Sequence, residues 1–134
     1  MLKMSLVTPY KKVLTDVPVE EVILPAFLGQ LEILPGHAPL MTTLTTGVVK
    51  YKVEGGSDFK KAAVSWGYIE VANNVVNILA ETAETEEDLD QNRVSVAFEK
   101  AVNLLDSNEL DMNQIEKFQR KLKRAEARKE LFQN

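Results

Sequence analysis

"VVNILAETAETEEDLDQNRVSVAFEKAVNLL", residues 75–105, changes its period part-way along. Up to Ala80 apolar and polar residues roughly alternate, the mark of a strand with one face on a core and the other in water. Beyond it, Val94, Ala97, Phe98, Ala101, Leu104 and Leu105 recur at helical spacing, predicting one amphipathic helix of about five turns. Thr85, with Asp88 three residues on, resembles a capping box and is read as the start of that helix. A β-domain over residues 1–84 followed by a helical part over 85–134 is the expected organisation.

Upstream, the chain runs in short stretches rich in Val, Ile, Leu, Thr and aromatic residues, broken by Pro, Gly and Asn. "MSLVTP", "VEEVILP", "FLGQLEIL", "GVVKYKV", "FKKAAVSW", "YIEVAN" and "VVNILAE" are the candidate strands. "EGGSD" and Asn73-Asn74 are the hairpin turns, because Gly and Asn accept positive φ at little cost. Short antiparallel strands at this spacing predict a sandwich or barrel and not a βαβ fold.

Downstream, "DSNELD" breaks the first helix, since Asp, Ser and Asn compete for backbone hydrogen bonds. Asp111 then caps a second helix with Gln114 at the matching position. Ile115, Phe118, Leu122, Ala125 and Phe132 repeat on a 3,4 pattern, interrupted at Lys129. Two such stripes form a helical hairpin. Each seam is narrow, so the hairpin either docks loosely and swings away or completes the core of the β-domain.

The 134 residues suffice for one real core, and 45% apolar against 27% charged residues argues against wholesale disorder. There is no cysteine, which removes disulfides, thiolate zinc sites and thiol nucleophiles. "MLKMSLVTPYKK" lacks the apolar core of a signal peptide and the span of a membrane helix, so a soluble chain that is not exported is expected. The net charge of −4 hides an asymmetry. Glu81 to Asp111 holds ten acidic against two basic residues, and Lys117 to Lys129 seven basic against one acidic. No aromatic residues interleave that basic stretch as nucleic-acid binding would want, so no nucleic acid partner is expected.

Catalytic signals are few. His37 is the single histidine, and with no second His, no Cys and no HExxH spacing it lacks the partners a catalyst or metal ligand needs. In "LPGHAP" the prolines stiffen the chain and Gly36 permits a sharp turn, giving a loop suited to presenting side chains to a partner. There is no phosphate loop, neither GxxxxGK[ST] nor GxGxxG. The carboxylates from Glu81 to Asp90 lack calcium-loop spacing and read as negative charge at a helix N-terminus. Asp90 and Arg93 stand one turn apart as a surface ion pair. Arg120, Arg124 and Arg128 form a row flanked by Lys117 and Lys121, a solvated face or a surface for an acidic partner or a phosphate.

Taken together, "LTDVPVEEVILPAFLGQLEILPGHAPLMTTLTTGVV", "WGYIEVANNVVNILAETAE" and "LDQNR" resemble the ε subunit family of bacterial and chloroplast rotary ATP synthases, called δ in mitochondria. The resemblance covers essentially the whole chain. It implies a flattened antiparallel β-sandwich of about ten strands with a C-terminal two-helix hairpin, and no catalysis of its own. The implied role is a central-stalk rotor subunit of the proton-translocating enzyme, coupling the ring of c subunits to the γ subunit. Gln30, Glu32 and His37 would belong to that contact region. The hairpin would act as a switch, folded on the β-domain or extended along γ, with Lys121, Arg124 and Arg128 meeting the α and β catalytic subunits and inhibiting hydrolysis. The implied location is peripheral, on the cytoplasmic face of the bacterial inner membrane or the stromal side of the thylakoid.

Some family members hold ATP on the folded hairpin. Glu84, Asp90, Arg93, Arg124 and Arg128 match that site, whereas Val94 stands in place of an alanine and Lys100 in place of an arginine, which exchanges a planar fork for a point charge. No cofactor is required, and ATP as a regulatory ligand is expected to bind weakly or not at all. Gln30-Leu31-Glu32 shifts the acidic residue of the family loop by two positions. Trp66 replaces a usually small residue before Gly67 and is a candidate for partner contact or for the core. An ATP-sensing binding module is the alternative from another class. A small enzyme on a β-sandwich is the third, and the unpartnered histidine argues against it.

Overall fold

The computed structural model describes residues 1–107 and 110–133. Nine strands come first: β1 (Leu2–Val7), β2 (Lys12–Ala26), β3 (Gly29–Ile33), β4 (Leu40–Leu44), β5 (Gly47–Val53), β6 (Phe59–Val64), β7 (Gly67–Ala72), β8 (Val75–Ala80) and β9 (Ala83–Thr85). Helices α1 (Gln91–Asp106) and α2 (Met112–Glu130) follow. The expected sandwich with a helical hairpin is what forms, and the hairpin is folded back so that α2 packs on β5 and β6.

β2 organises the sandwich. Its 15 residues are long enough for the N-terminal half to pair with β1 and the C-terminal half with β3 and β5, while Ala26 reaches β4. The order β1-β8-β7-β4-β2 returns to β1 through the β1–β2 pairing, which closes one layer, and β5-β6-β9 extends the other. Closure leaves few free edges for unwanted strand addition. Alternate residues point inward: Leu2, Met4 and Leu6 of β1, Val22 and Leu24 of β2, Ile69 and Val71 of β7, and Val76 and Ile78 of β8 form the buried core.

Several local expectations hold. Asn73 and Asn74 both take positive φ, 52° and 61°, between β7 and β8, as a two-residue hairpin turn requires. Asp111 caps α2, with its carboxylate accepting the Gln114 N–H at 2.8 Å and the Gln114 side chain accepting the Asp111 N–H at 3.1 Å.

Others are corrected. The Thr85–Asp88 box exists, but it starts a single 3-10 turn, Glu86–Asp88, and α1 begins at Gln91 with Asp90 as its cap. An N-terminal box satisfies N–H groups equally well whether one turn or five follow it, so it cannot fix helix length. Ala97 faces solvent, while Val94 and Ala101 are the buried residues of α1. "LMTTL", which is not among the candidate strands, is strand β4, and the short β9 is added at the edge of β6. β1 and β8 pair in parallel, the one such pairing among the described residues. The break "DSNELD" includes residues 108 and 109, which lie outside the described residues.

Candidate functional site

At one end of the sandwich, Leu34-Pro35-Gly36-His37 makes a tight turn in which the His37 N–H donates to the Leu34 carbonyl at 3.1 Å. Proline sits second and Gly36, at φ 85°, third, the arrangement a type II turn needs. The Asn74 side-chain oxygen accepts the Gly36 N–H at 2.7 Å and ties this turn to the β7–β8 turn. His37 is half-buried and its Nδ1 donates to the Ala38 carbonyl at 2.7 Å. A ring bonded to its neighbour's backbone is a shaping element of the loop, with no carboxylate orienting it for proton transfer.

Gln30 and Glu32 lie exposed on β3, opposite Pro25 and Ile23 of β2. The Glu32 carboxyl shares a hydrogen bond with that of Glu21, and with partial burial and its own charge it raises the Glu21 pKa, against the opposing charge of Lys52. Next to them the β2–β3 hairpin tip presents Phe27 and Leu28, 73% and 94% exposed.

The outward face of β8, β7 and β4 is unexpectedly apolar. Leu79 of β8 stands opposite Tyr68 of β7, and Tyr68 opposite Thr43 of β4. The Phe27 N–H then donates to the Thr43 carbonyl at 3.1 Å, which carries the row on to the hairpin tip. Met41 and Trp66 flank it, and Trp66, Tyr68 and Leu79 are each more than half exposed. Trp66 is therefore a surface residue, and the core reading of it is set aside. The residues Phe27, Met41, Tyr68 and Leu79 were absent from the sequence-derived list, although strand alternation assigns Tyr68 and Leu79 to the outer face and large apolar residues at that parity were the available signal.

The remaining candidates lie where α2 meets β6 and β9. Arg120 and Lys121 are in solvent, Lys121 resting its ammonium 5.0 Å from the Phe118 ring, while Arg124 and Arg128 are half-buried in a cleft with Ala63, Thr82 and Glu84. The Arg128 Nε donates to Glu84 Oε1 at 2.7 Å. About 10 Å³ stays free in this cleft, which is space for no more than a water molecule. Asp90 and Arg93 do not line it. The Asp90 carboxylate accepts the Arg93 backbone N–H at 3.1 Å, so that pair is a helix cap where a side-chain ion pair was expected. The structure thus brings Glu84, Arg124 and Arg128 together and leaves Asp90 and Arg93 at the start of α1. No cluster of three or more His, Cys, Asp or Glu suited to a metal occurs among the described residues, and no helix among them is long and apolar enough to cross a membrane.

The family model "ATP synthase, Delta/Epsilon chain, beta-sandwich domain" matches residues 1–86. The chain belongs to the ATP synthase delta/epsilon family. An ATP synthase epsilon chain of Bdellovibrio bacteriovorus is 51% identical over 89 residues, 66% of this chain and 64% of that one. The epsilon chain of Geotalea daltonii is 44% identical over 104 residues, 78% of this chain and 73% of that one. The fold is similar to a chain in the mitochondrial ATP synthase of Euglena gracilis, solved as OSCP, F1 and c-ring, with a TM-score of 0.81 and 23% identity over 94% of this chain and 78% of that one. A chain in the central stalk and c-ring of the Tetrahymena thermophila mitochondrial enzyme gives a TM-score of 0.53 at 15% identity, over 85% and 76%.

Proposed function

We propose that the chain is a non-catalytic rotor subunit of an F-type ATP synthase, part of the central stalk, whose β-domain couples the c-ring to γ. Membership of the epsilon family supports the class of assembly, and the apolar outward row of Leu79, Tyr68 and Phe27 with Met41 and Trp66 carries the docking surface. Contiguous exposed apolar surface at the side of a small domain is costly in water and is relieved when a partner covers it. The γ subunit is the partner assigned to that row. The hairpin tip with Gln30 and Glu32, and the His37 turn, are assigned to the rotor contact near the c-ring. The subunit would sit peripherally on the cytoplasmic face of the membrane, and its helices would reach the α and β catalytic subunits when released, with inhibition of hydrolysis as the consequence.

ATP is not required for this role. As a regulatory ligand it would have to displace Glu84 from Arg128 and open the closed cleft between them, which supports weak binding at most. Calorimetry of the isolated chain with ATP is expected to show no micromolar site.

The docking surface is tested by titrating recombinant γ with the wild-type chain and with Tyr68→Asp. Buried aromatic anchors carry about 2 kcal/mol or more of interface energy, so the substitution is expected to weaken binding by roughly thirty-fold or more. Unchanged affinity, with the variant folded, would remove the row from the interface.

A further inference from the structure

Strand β3 leaves one side open. Among the described residues it pairs with β2 alone, so its far side is a sheet edge. The direction of its backbone groups follows from Pro25, which stands opposite Gln30. Proline has no N–H to give β3, and the Pro25 carbonyl accepts the Thr45 N–H at 2.9 Å, beside the Ala26–Leu44 pairing with β4. Pro25–Gln30 is therefore a non-hydrogen-bonded pair, and so, two residues along, is Ile23–Glu32. Gln30 and Glu32 consequently turn their N–H and C=O groups outward, away from β2. Leu31, between them, spends its own on Leu24 and packs its side chain against the main core.

We infer that this edge pairs with β3 of a second copy of the chain, antiparallel and about a two-fold axis through Leu31. The edge is complementary to itself in that register. Gln30 of each copy falls opposite Glu32 of the other, so every outward N–H meets an outward carbonyl. The side chains match as well. The Gln30 amide, a donor, faces the Glu32 carboxylate, an acceptor. Leu31 meets Leu31 on the core side, and Leu28, 94% exposed, comes beside Leu34, 48% exposed, at each end. A shift of one residue sets outward backbone groups against inward ones, and a shift of two can place Glu32 against Glu32, where like charges repel. A two-fold pairing of one edge closes on itself, so it stops at a dimer. With one short strand from each copy it is a contact of transient size. A paired chain would hide Gln30 and Glu32 from the rotor, so self-pairing and assembly exclude one another; that consequence rests on the rotor contact proposed above, whereas the pairing does not.

Sedimentation equilibrium of the intact chain, from about 10 µM to about 1 mM, reads the association, and amide chemical shifts followed over the same dilution series locate it. The average mass is expected to rise toward twice that of the chain, with shift changes centred on residues 28–34. Gln30→Pro removes an outward N–H that β2 does not use, and is expected to raise the dimer dissociation constant about ten-fold or more. Gln30→Glu sets a carboxylate against Glu32 on both sides of the axis, and is expected to raise it about three- to thirty-fold. Adding Glu32→Gln to Gln30→Glu restores an amide opposite each carboxylate and is expected to return the wild-type constant. The charge variants keep the test readable where proline perturbs β3. A chain that stays monomeric at about 1 mM, an association unmoved by Gln30→Pro and Gln30→Glu or abolished instead by Tyr68→Asp, or a double variant as weak as Gln30→Glu would each overturn the pairing. So would a monomer that loses its binding to γ in Gln30→Pro, because the edge would then take a strand from a partner.

Discussion

The sandwich and the hairpin are held by different physics. Leu2, Met4, Leu6, Leu24, Ile69 and Ile78 are wholly buried or nearly so in a core that draws on each of the strands β1 to β9. The hairpin rests on Val48, Ala63, Ala127 and Leu131 and on a few half-exposed charges. Burial of large side chains is worth kilocalories each, whereas half-exposed ion pairs give about 1 kcal/mol or less and weaken in salt. One chain therefore contains two units whose attachment differs in strength and in its response to salt.

Four substitutions probe that contrast, from the largest effect downward. Ile69→Ala removes a fully buried side chain at the centre of β7 and is expected to lower the urea unfolding free energy of the whole chain by roughly 2–5 kcal/mol. Gly67→Ala is expected to cost about 1–3 kcal/mol. A Cβ at Gly67 would stand 1.8 Å from the Leu79 carbonyl oxygen, so β7 and β8 could not keep their register without moving backbone. A thermal melt near wild type would mean that the two strands adjust more easily than a closed sheet should.

Asp111→Ala deletes the carboxylate that accepts the Gln114 N–H, leaving only the backbone half of the α2 box, and is expected to destabilise the hairpin by about 1 kcal/mol while the sandwich melts unchanged. Helical circular dichroism against temperature separates the two. Smallest is Asp88→Asn. The Thr85 N–H bonded to Asp88 Oδ2 at 2.9 Å holds this carboxyl below its ordinary pKa of 3.8, with the Thr85 hydroxyl and Lys11 adding to the effect and partial burial opposing it. Its folded pKa is depressed, so its stabilisation is present above the ordinary carboxylate pKa and fades as pH falls through the lowered value. The side chain is 40% exposed, so the loss is small. Wild type and Asp88→Asn are expected to differ slightly at neutral pH and to converge in strong acid, and a gap that widens in acid would reverse the sign assigned here.

What was legible in the sequence follows the range of the interaction. The Asn73–Asn74 turn and the Asp111–Gln114 box are decided within four residues and could be read directly. The start of α1 could not, because Thr85 with Asp88 and Asp90 with the Arg93 N–H are equally good local caps, and only the β6–β9 pairing, which holds Thr85 in a strand, selects the second. Strand β4 hid behind the two prolines around His37, and the parallel β1–β8 pairing joins segments some 70 residues apart, which no local period encodes. Family resemblance grouped Glu84, Asp90, Arg93, Arg124 and Arg128, and the structure brings Glu84, Arg124 and Arg128 together while Asp90 and Arg93 stay at the start of α1. Spacing reads Asp90 and Arg93 as an ion pair, and the structure makes them a helix cap. The apolar row of Tyr68 and Leu79 is written in the sequence as parity along two strands, since the residues that alternate with the core are the ones that face away from it.

Hydrogen exchange of the intact chain, resolved residue by residue and repeated at low and high salt, tests the two-unit account most directly. The account predicts that core amides such as those of Ile69, Val71, Val76 and Ile78 exchange only through global unfolding, with protection insensitive to salt. Amides of α1 and α2 should exchange together through a smaller opening that salt promotes. Equal protection in helices and sandwich, with neither responding to salt, would contradict it, because the hairpin would then be part of one cooperative unit with the β-domain.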